Sequence, residues 1–230
     1  MRRKRAPRAG FGTVDNVYII VDSVYMATAV PLDSRLADVA LDLLEEEGAQ
    51  GLTLREVARR AGVSHGAPLR HFQGLAGLLS EVASRGFELL AEAVEEGAGS
   101  APPGAGPLER LRGAGRAYVH AAAAHPHLFA LMFRRDAPDW EDPRLLATSS
   151  AAFEQLVQLL RAAQDASYHP SRDTRMLAGI VWSCVHGLAT LWSQGALPEV
   201  VGGATLEGAL DTLLTIVIPE TPLTAPGGLS

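Results

Sequence analysis

The stretch from Thr53 to Phe72, TLREVARRAGVSHGAPLRHF, constrains the fold more than any other part of the chain. Thr53 and Glu56 have the spacing of a capping box, which satisfies free N–H groups at a helix start. Leu54, Val57, Ala58 and Ala61 follow at i, i+3, i+4 and i+7, one apolar face of a helix. Gly62 stands where a helix ends in a left-handed residue. Ser64 is placed to cap a second helix, with Pro68 in its first turn or just after, where proline costs least. Leu69 and Phe72 are expected to point that helix back onto the first. Arg55, Arg59, Arg60 and Arg70 stand against Glu56 alone.

A helix, a glycine turn and a second, polar-fronted helix form the helix-turn-helix signature. In that motif the second helix enters the major groove with its N-terminal residues at base edges. Here those residues are Ser64, His65, Gly66 and Ala67. Small side chains permit close approach, and Ser64 and His65 offer hydrogen bonds. The alternative is a plain helical hairpin in an all-α protein.

The 230 residues suffice for one or two modest domains with a real core. Apolar content of 47% and charged content of 20% are ordinary for a soluble protein. A net charge of −6 excludes a generic nucleic-acid binder. Basic charge is local instead, on Thr53–Phe72 and near the amino terminus, which suits a binder that contacts phosphates with one face. Cys184 is the only cysteine, which excludes an intrachain disulfide and a cysteine zinc cluster and fits a cytoplasmic protein.

Residues 1–33 read as an extension. Arg2, Arg3, Lys4, Arg5 and Arg8 precede an apolar run, an outline of a signal peptide, but Asp15, Asn16 and Asp22 interrupt it. The other options are a basic arm for a minor groove, a disordered segment, or translation truly starting at Met26.

Asp33 or Ser34 is expected to cap the first helix, whose stripe is Leu36, Val39, Ala40, Leu43 and Leu44 and which Gly48 ends. A fourth helix carries Leu75, Leu78, Leu79, Val82, Gly86, Leu89 and Leu90 on one face. These elements make a head over residues 34–96. Residues 97–107, within the Gly- and Pro-rich run EEGAGSAPPGAGP, read as a linker loop. A helical body covers 108–219, and 220–230 form a tail. In the body, Asp173 to Gln194 is apolar nearly all round, with small residues Gly179, Ser183 and Gly187 at i, i+4 and i+8. A helix of that kind is expected to be buried on both sides, here against a partner subunit rather than in a membrane. Leu206, Leu210, Leu213, Leu214 and Val217 offer the second half of such an interface.

No catalytic constellation is visible, and no cofactor motif. His120, His125 and His127 straddle Pro126 without an adjacent carboxylate, so a helix-ending turn is expected there rather than a metal site. His186, one turn after Trp182, is a candidate for ligand contact or for a satisfied core histidine. Phe129, Met132, Phe133, Trp182 and Trp192 are equally candidates for an apolar pocket and for plain core.

The block from Arg35 to Leu90 resembles the DNA-binding domain of TetR-family repressors. The matching residues are Ala40–Gly48, Leu52–Val63 and Ser64–Phe72, with Leu78 and Leu79. Leu69 stands where that family usually carries Tyr, and Leu75 where it usually carries Lys. Ala117–Phe133 and Val181–Trp192 resemble the C-terminal domain of the branch named for Trp, His and Gly, here Trp182, His186 and Gly187. The resemblance implies an all-α protein with a three-helix head, a connecting helix and a helical ligand-binding and dimerisation bundle. It implies a homodimer that reads a palindromic operator in double-stranded DNA and answers to a small-molecule effector. Thr53, Arg55, Arg70 and His71 are then expected on the DNA backbone, and Ser64, His65, Gly66 and Leu69 in the groove. Tyr118, Phe129, Met132, Phe133, Trp182 and His186 are the expected ligand contacts. The alternative from another class is a ligand-binding or protein-interaction module that has lost operator binding.

Overall fold

The computed structural model describes residues 30–219, and every element among them is helical. The readings made for residues 1–29 and for the tail beyond 219 lie outside the described residues.

Helix α1 spans Leu32–Gly51. Pro31 is its N-cap, and Asp33 and Ser34 both fall inside the first turn, so neither is the cap expected from the sequence. Leu36, Ala40, Leu43 and Leu44 of its stripe are fully buried. Gly48, at φ 71°, breaks the helix as expected, and one further turn follows to Gly51. Helix α2 spans Leu54–Arg60, with the Thr53 hydroxyl oxygen accepting the Glu56 N–H at 3.2 Å. The return half of the capping box is replaced, because the Glu56 carboxylate turns to Arg59. At the other end the Val63 N–H reaches the Ala58 carbonyl and the Gly62 N–H that of Arg59, both around Gly62 at φ 68°. This six-to-one and five-to-two pair is a Schellman motif. Arg35 of α1 donates to the Ala61 carbonyl at 3.1 Å, which satisfies another open group there.

Helix α3 runs from Gly74 to Gly99, through residues assigned to a linker on composition. The loop is only 100–106. The glycines serve a helix crossing: a Cβ on Gly97 would lie 2.7 Å from the Gly113 carbonyl oxygen, and one on Gly113 would lie closer still to that of Gly97. Backbones that close require glycine on both sides, so α3 packs along α4 instead of ending.

The body continues with α4 (Pro107–Ala124), α5 (Pro126–Met132), α6 (Pro143–Asp165), α7 (Thr174–Ser193), α8 (Ala196–Val201) and α9 (Leu206–Val217). Three of these begin on a proline, whose missing N–H is not needed in a first turn. Asp142, Asp173 and Thr205 cap α6, α7 and α9 with side-chain oxygens. Leu210 and Leu214 of α9 lie in the core rather than on an outer face. The buried Arg112 guanidinium donates to the carbonyls of Leu214 and Ile218 at the end of α9, and Tyr168 donates to that of Val217.

Helix α7 is long and apolar enough to cross a membrane by length and composition, but it packs into this core along Ala178, Val181, Val185, Leu188 and Ala189. Its other side is open within one chain. Met176 and Ile180 are 68% and 56% exposed, and no atom lies within 4 Å of a Cβ built on Gly179 or Gly187.

Head and body are joined by more than α3. Glu45 of α1 accepts the Leu128 N–H in the first turn of α5 at 3.1 Å, where a carboxylate favours the helix dipole. Of the three histidines near this joint, His125 and His127 both meet Glu45, His125 at 4.0 Å from its carboxylate, and His120 does not. His120 faces Glu207, His127 bonds the Glu45 carbonyl, and His125 stands at the N-cap of α5.

Candidate nucleic-acid interface and apolar cavity

The second element of the hairpin is shorter than expected. It is a single 3-10 turn, Pro68–Arg70, set in consecutive turns from His65 to His71. Pro68 has no N–H to donate to the Ser64 carbonyl, so the helical ladder cannot run through it. The Ala67 N–H bonds Ser64 instead, and the Arg70 and His71 N–H groups bond Ala67 and Pro68. Ser64 therefore contributes its carbonyl and not a side-chain cap.

Ala67 and Pro68 are the buried anchors of this turn, with Phe72 half-buried beside them. Leu69 does not fold back on the first helix and is 60% exposed. Thr53, Arg55, Ser64, His65, Gly66, Leu69, Arg70 and His71 are all exposed. The charge is distributed less evenly than the sequence suggests. Arg59 is taken up by Glu56, whose carboxyl that bond holds below its ordinary range. Arg60 sits 2.6 Å and 3.0 Å from Glu46 and Glu47 at the end of α1. Arg55 and Arg70 have no carboxylate in ion-pair reach among the described residues, so they alone carry net positive charge outward.

The body holds a cavity of about 350 Å³ between α3, α4, α6 and α7. Phe87, Tyr118, Phe133, Trp140, Phe153 and Trp182 give it aromatic walls. Of the expected ligand contacts, Tyr118, Phe133 and Trp182 line it. Phe129 and Met132 face a separate, more open groove of about 550 Å³ across α3, α4 and α5. His186 lines neither. Its Nδ1 lies 2.9 Å from the Tyr118 hydroxyl, and that hydroxyl oxygen accepts the Trp182 indole N–H at 3.1 Å. Burial pushes the His186 pKa down and the Tyr118 pKa up, which favours the neutral form of both. The Phe133 and Phe129 rings lie 4.5 Å and 5.1 Å from the imidazole. Trp192 borders neither space.

Sequence reasoning missed Arg135, Trp140, Phe153 and Arg175 on the cavity wall. Arg135 and Trp140 belong to an acidic, proline-marked loop with no periodic signal. Only the fold brings them over the body core, where the Arg135 guanidinium lies 4.0 Å from the centre of the Trp140 ring.

The chain matches known families over most of both halves. Residues 36–82 match the family described as bacterial regulatory proteins, tetR family. Residues 111–215 match the family described as tetracyclin repressor-like, C-terminal domain. No curated protein matches the chain. Among solved structures, a protein of unknown function from Rhodococcus sp. RHA1 is 30% identical, with a TM-score of 0.73, covering 85% of this chain and 97% of that one. The TetR family transcriptional regulator PfmR from Thermus thermophilus is 19% identical, with a TM-score of 0.59, covering 80% and 97%. The fatty acid degradation regulator FadR from Bacillus halodurans is 15% identical, with a TM-score of 0.62, covering 88% and 98%. The last two share the fold alone. With a helix-turn-helix head and a helical body each matching its counterpart, the chain belongs to the TetR family of transcriptional regulators, in the branch with a Trp-His-Gly type C-terminal domain.

Proposed function

We propose that this protein is a cytoplasmic homodimeric repressor that binds a palindromic operator and releases it when a small, largely apolar molecule enters the body cavity. The observation that carries the reading is the hairpin face, where eight exposed residues combine hydrogen-bonding groups with the two unpaired arginines, Arg55 and Arg70. Arg55, Arg70, Thr53 and His71 serve the phosphates, while Ser64, His65, Gly66 and Leu69 meet the groove. The open stripe of α7, from Met176 through Ile180 to Leu191, and Ile216 of α9 support pairing of two bodies about a twofold axis.

Ligand and head communicate through α3. Arg144 of α6 pairs with Glu81 and Glu88, Glu81 also holds Arg85, and Arg85 reaches Asp38 of α1. A ligand that displaces α6 shifts this chain of charges and so the spacing of the heads. A coupling of about 1–3 kcal/mol is enough to switch operator occupancy.

Mobility-shift competition with the DNA flanking the gene tests the reading. A salt-sensitive complex that outlasts scrambled competitor is expected. Equal competition by scrambled DNA refutes operator binding. That result favours a second reading, a ligand-binding module without operator preference. Leu69 and Leu75 motivate it, since apolar side chains 60% and 36% exposed stand on the head surface where phosphate partners are usual in the family.

A further inference from the structure

We infer that the cavity takes a monoanion with an apolar body, a carboxylate on an alkyl or aryl frame, with its charge on Arg135. The inference rests on the ligand-responsive reading above and names the chemistry of the ligand. Three charged side chains line the cavity: Arg135, Glu154 and Arg175. Arg175 and Glu154 neutralise each other at 2.5 Å. Arg135 has no carboxylate in ion-pair reach among the described residues, so the cavity carries one uncompensated positive charge.

Arg135 is also held in a usable posture. Its guanidinium carbon stands 4.0 Å over the centre of the Trp140 ring, and the side chain is exposed at the cavity mouth, where its N–H groups are open to a planar acceptor. The Trp140 indole N–H is in turn tied to the Arg134 carbonyl at 2.7 Å. The other polar groups of the wall are largely committed. The Tyr118 hydroxyl serves Trp182 and His186, the Ser149 hydroxyl serves the Leu145 carbonyl, and the Gln155 amide N–H serves that of Ala91. Two polar groups stay open, the buried Gln155 Oε1, which has no partner, and the Ser150 hydroxyl; the rest of the wall is hydrocarbon and aromatic ring, including Phe87, Leu90, Val94 and Leu111. A cation meets repulsion in such a site, and a dianion leaves one charge unmatched.

The same loop connects the anion site to the helix that carries the head. The Asp139 N–H donates to the Ser80 hydroxyl of α3 at 2.8 Å, and Ser80 is fully buried. A carboxylate drawn to Arg135 therefore acts on a loop that grips α3 within the head.

Calorimetric titration of the full chain without DNA tests the assignment. Octanoate is compared with octanol and octylamine, and phenylacetate with phenylethanol, so that alkyl and aryl bodies are separated. At least one carboxylate is expected to bind about tenfold tighter than its alcohol, the scale of a charge-assisted hydrogen bond, and octylamine is expected not to bind. Arg135→Gln, checked for folding by circular dichroism, is expected to erase the preference for carboxylate. Arg135→Lys keeps part of it, and the double change Glu154→Gln with Arg175→Gln, which removes the neutral pair together, keeps it whole. Alcohols that bind as well as carboxylates, a preference that survives Arg135→Gln, or no binding by any of the five overturns the inference. Because DNA is absent, failure here leaves operator binding standing, and failure of operator binding leaves this result standing.

Discussion

Arg70 and Arg55 give the hairpin its uncompensated charge, because Glu46, Glu47 and Glu56 occupy Arg60 and Arg59. Arg70→Ala is therefore expected to weaken binding to every DNA sequence alike. It is also expected to lower the slope of log affinity against log salt by roughly 1.8, two contacts per dimer at about 0.9 each. A fluorescence-anisotropy salt series reads this directly, and an unchanged slope means Arg70 meets no phosphate. His65→Ala is expected to relax discrimination at one base pair per half-site by about 1–3 kcal/mol while leaving the salt slope intact. His186 has a different consequence. Burial lowers its pKa in the folded chain from the ordinary 6.5. The unfolded chain then takes up a proton first as pH falls, so stability is lost from about pH 6.5 downward until the folded pKa is reached. Thermal melts between neutral pH and pH 5 are expected to fall less steeply for His186→Gln than for the wild type. Parallel curves would show that His186 is not held neutral.

At the scale of elements, the α3–α4 crossing carries the sharpest expectation. Gly113→Ala places a methyl against the Gly97 carbonyl, and overpacking of this kind costs about 1–3 kcal/mol. The melting temperature is expected to drop by several degrees. Gly99→Ala, whose Cβ meets nothing within 4 Å, is expected to leave it unchanged or raise it. A neutral Gly113→Ala means the two backbones do not meet at Gly97 and Gly113. The same residues mark where sequence reading fails. Gly97 and Gly99 look like loop residues by composition, and only a partner helix distant in sequence shows why Gly97 is glycine. Thr53 and Gly62 were legible because a cap and a left-handed turn are local. The effect of Pro68 was not, because it depends on which carbonyl loses a donor. Tyr118, Phe133 and Trp182 were legible as apolar, but Arg135 and Trp140 became cavity wall only through the path of the loop that holds them. Arg60 reads as free in the sequence because its partners, Glu46 and Glu47, belong to another helix.

For the whole molecule, reading an operator requires two heads fixed in relative position by paired bodies. The exposed stripe on α7 and the open positions of Gly179 and Gly187 leave room for the close approach of the second copy proposed above. Light scattering is expected to give a dimer for the wild type and a monomer for Ile180→Asp, because an aspartate facing its symmetry mate is desolvated beside a like charge. The monomer is expected to retain the head fold and lose operator affinity. A dimeric Ile180→Asp places the interface elsewhere. Hydroxyl-radical footprinting on a selected operator bears most directly on the claim that the Thr53–Phe72 hairpin reads DNA in two symmetric copies. The predicted result is twofold-symmetric protection of two half-sites, centred about one or a whole number of helical turns apart. Loss of protection with Arg70→Ala is predicted in both halves together. A single protected half-site, or uniform protection without sequence preference, would contradict the account.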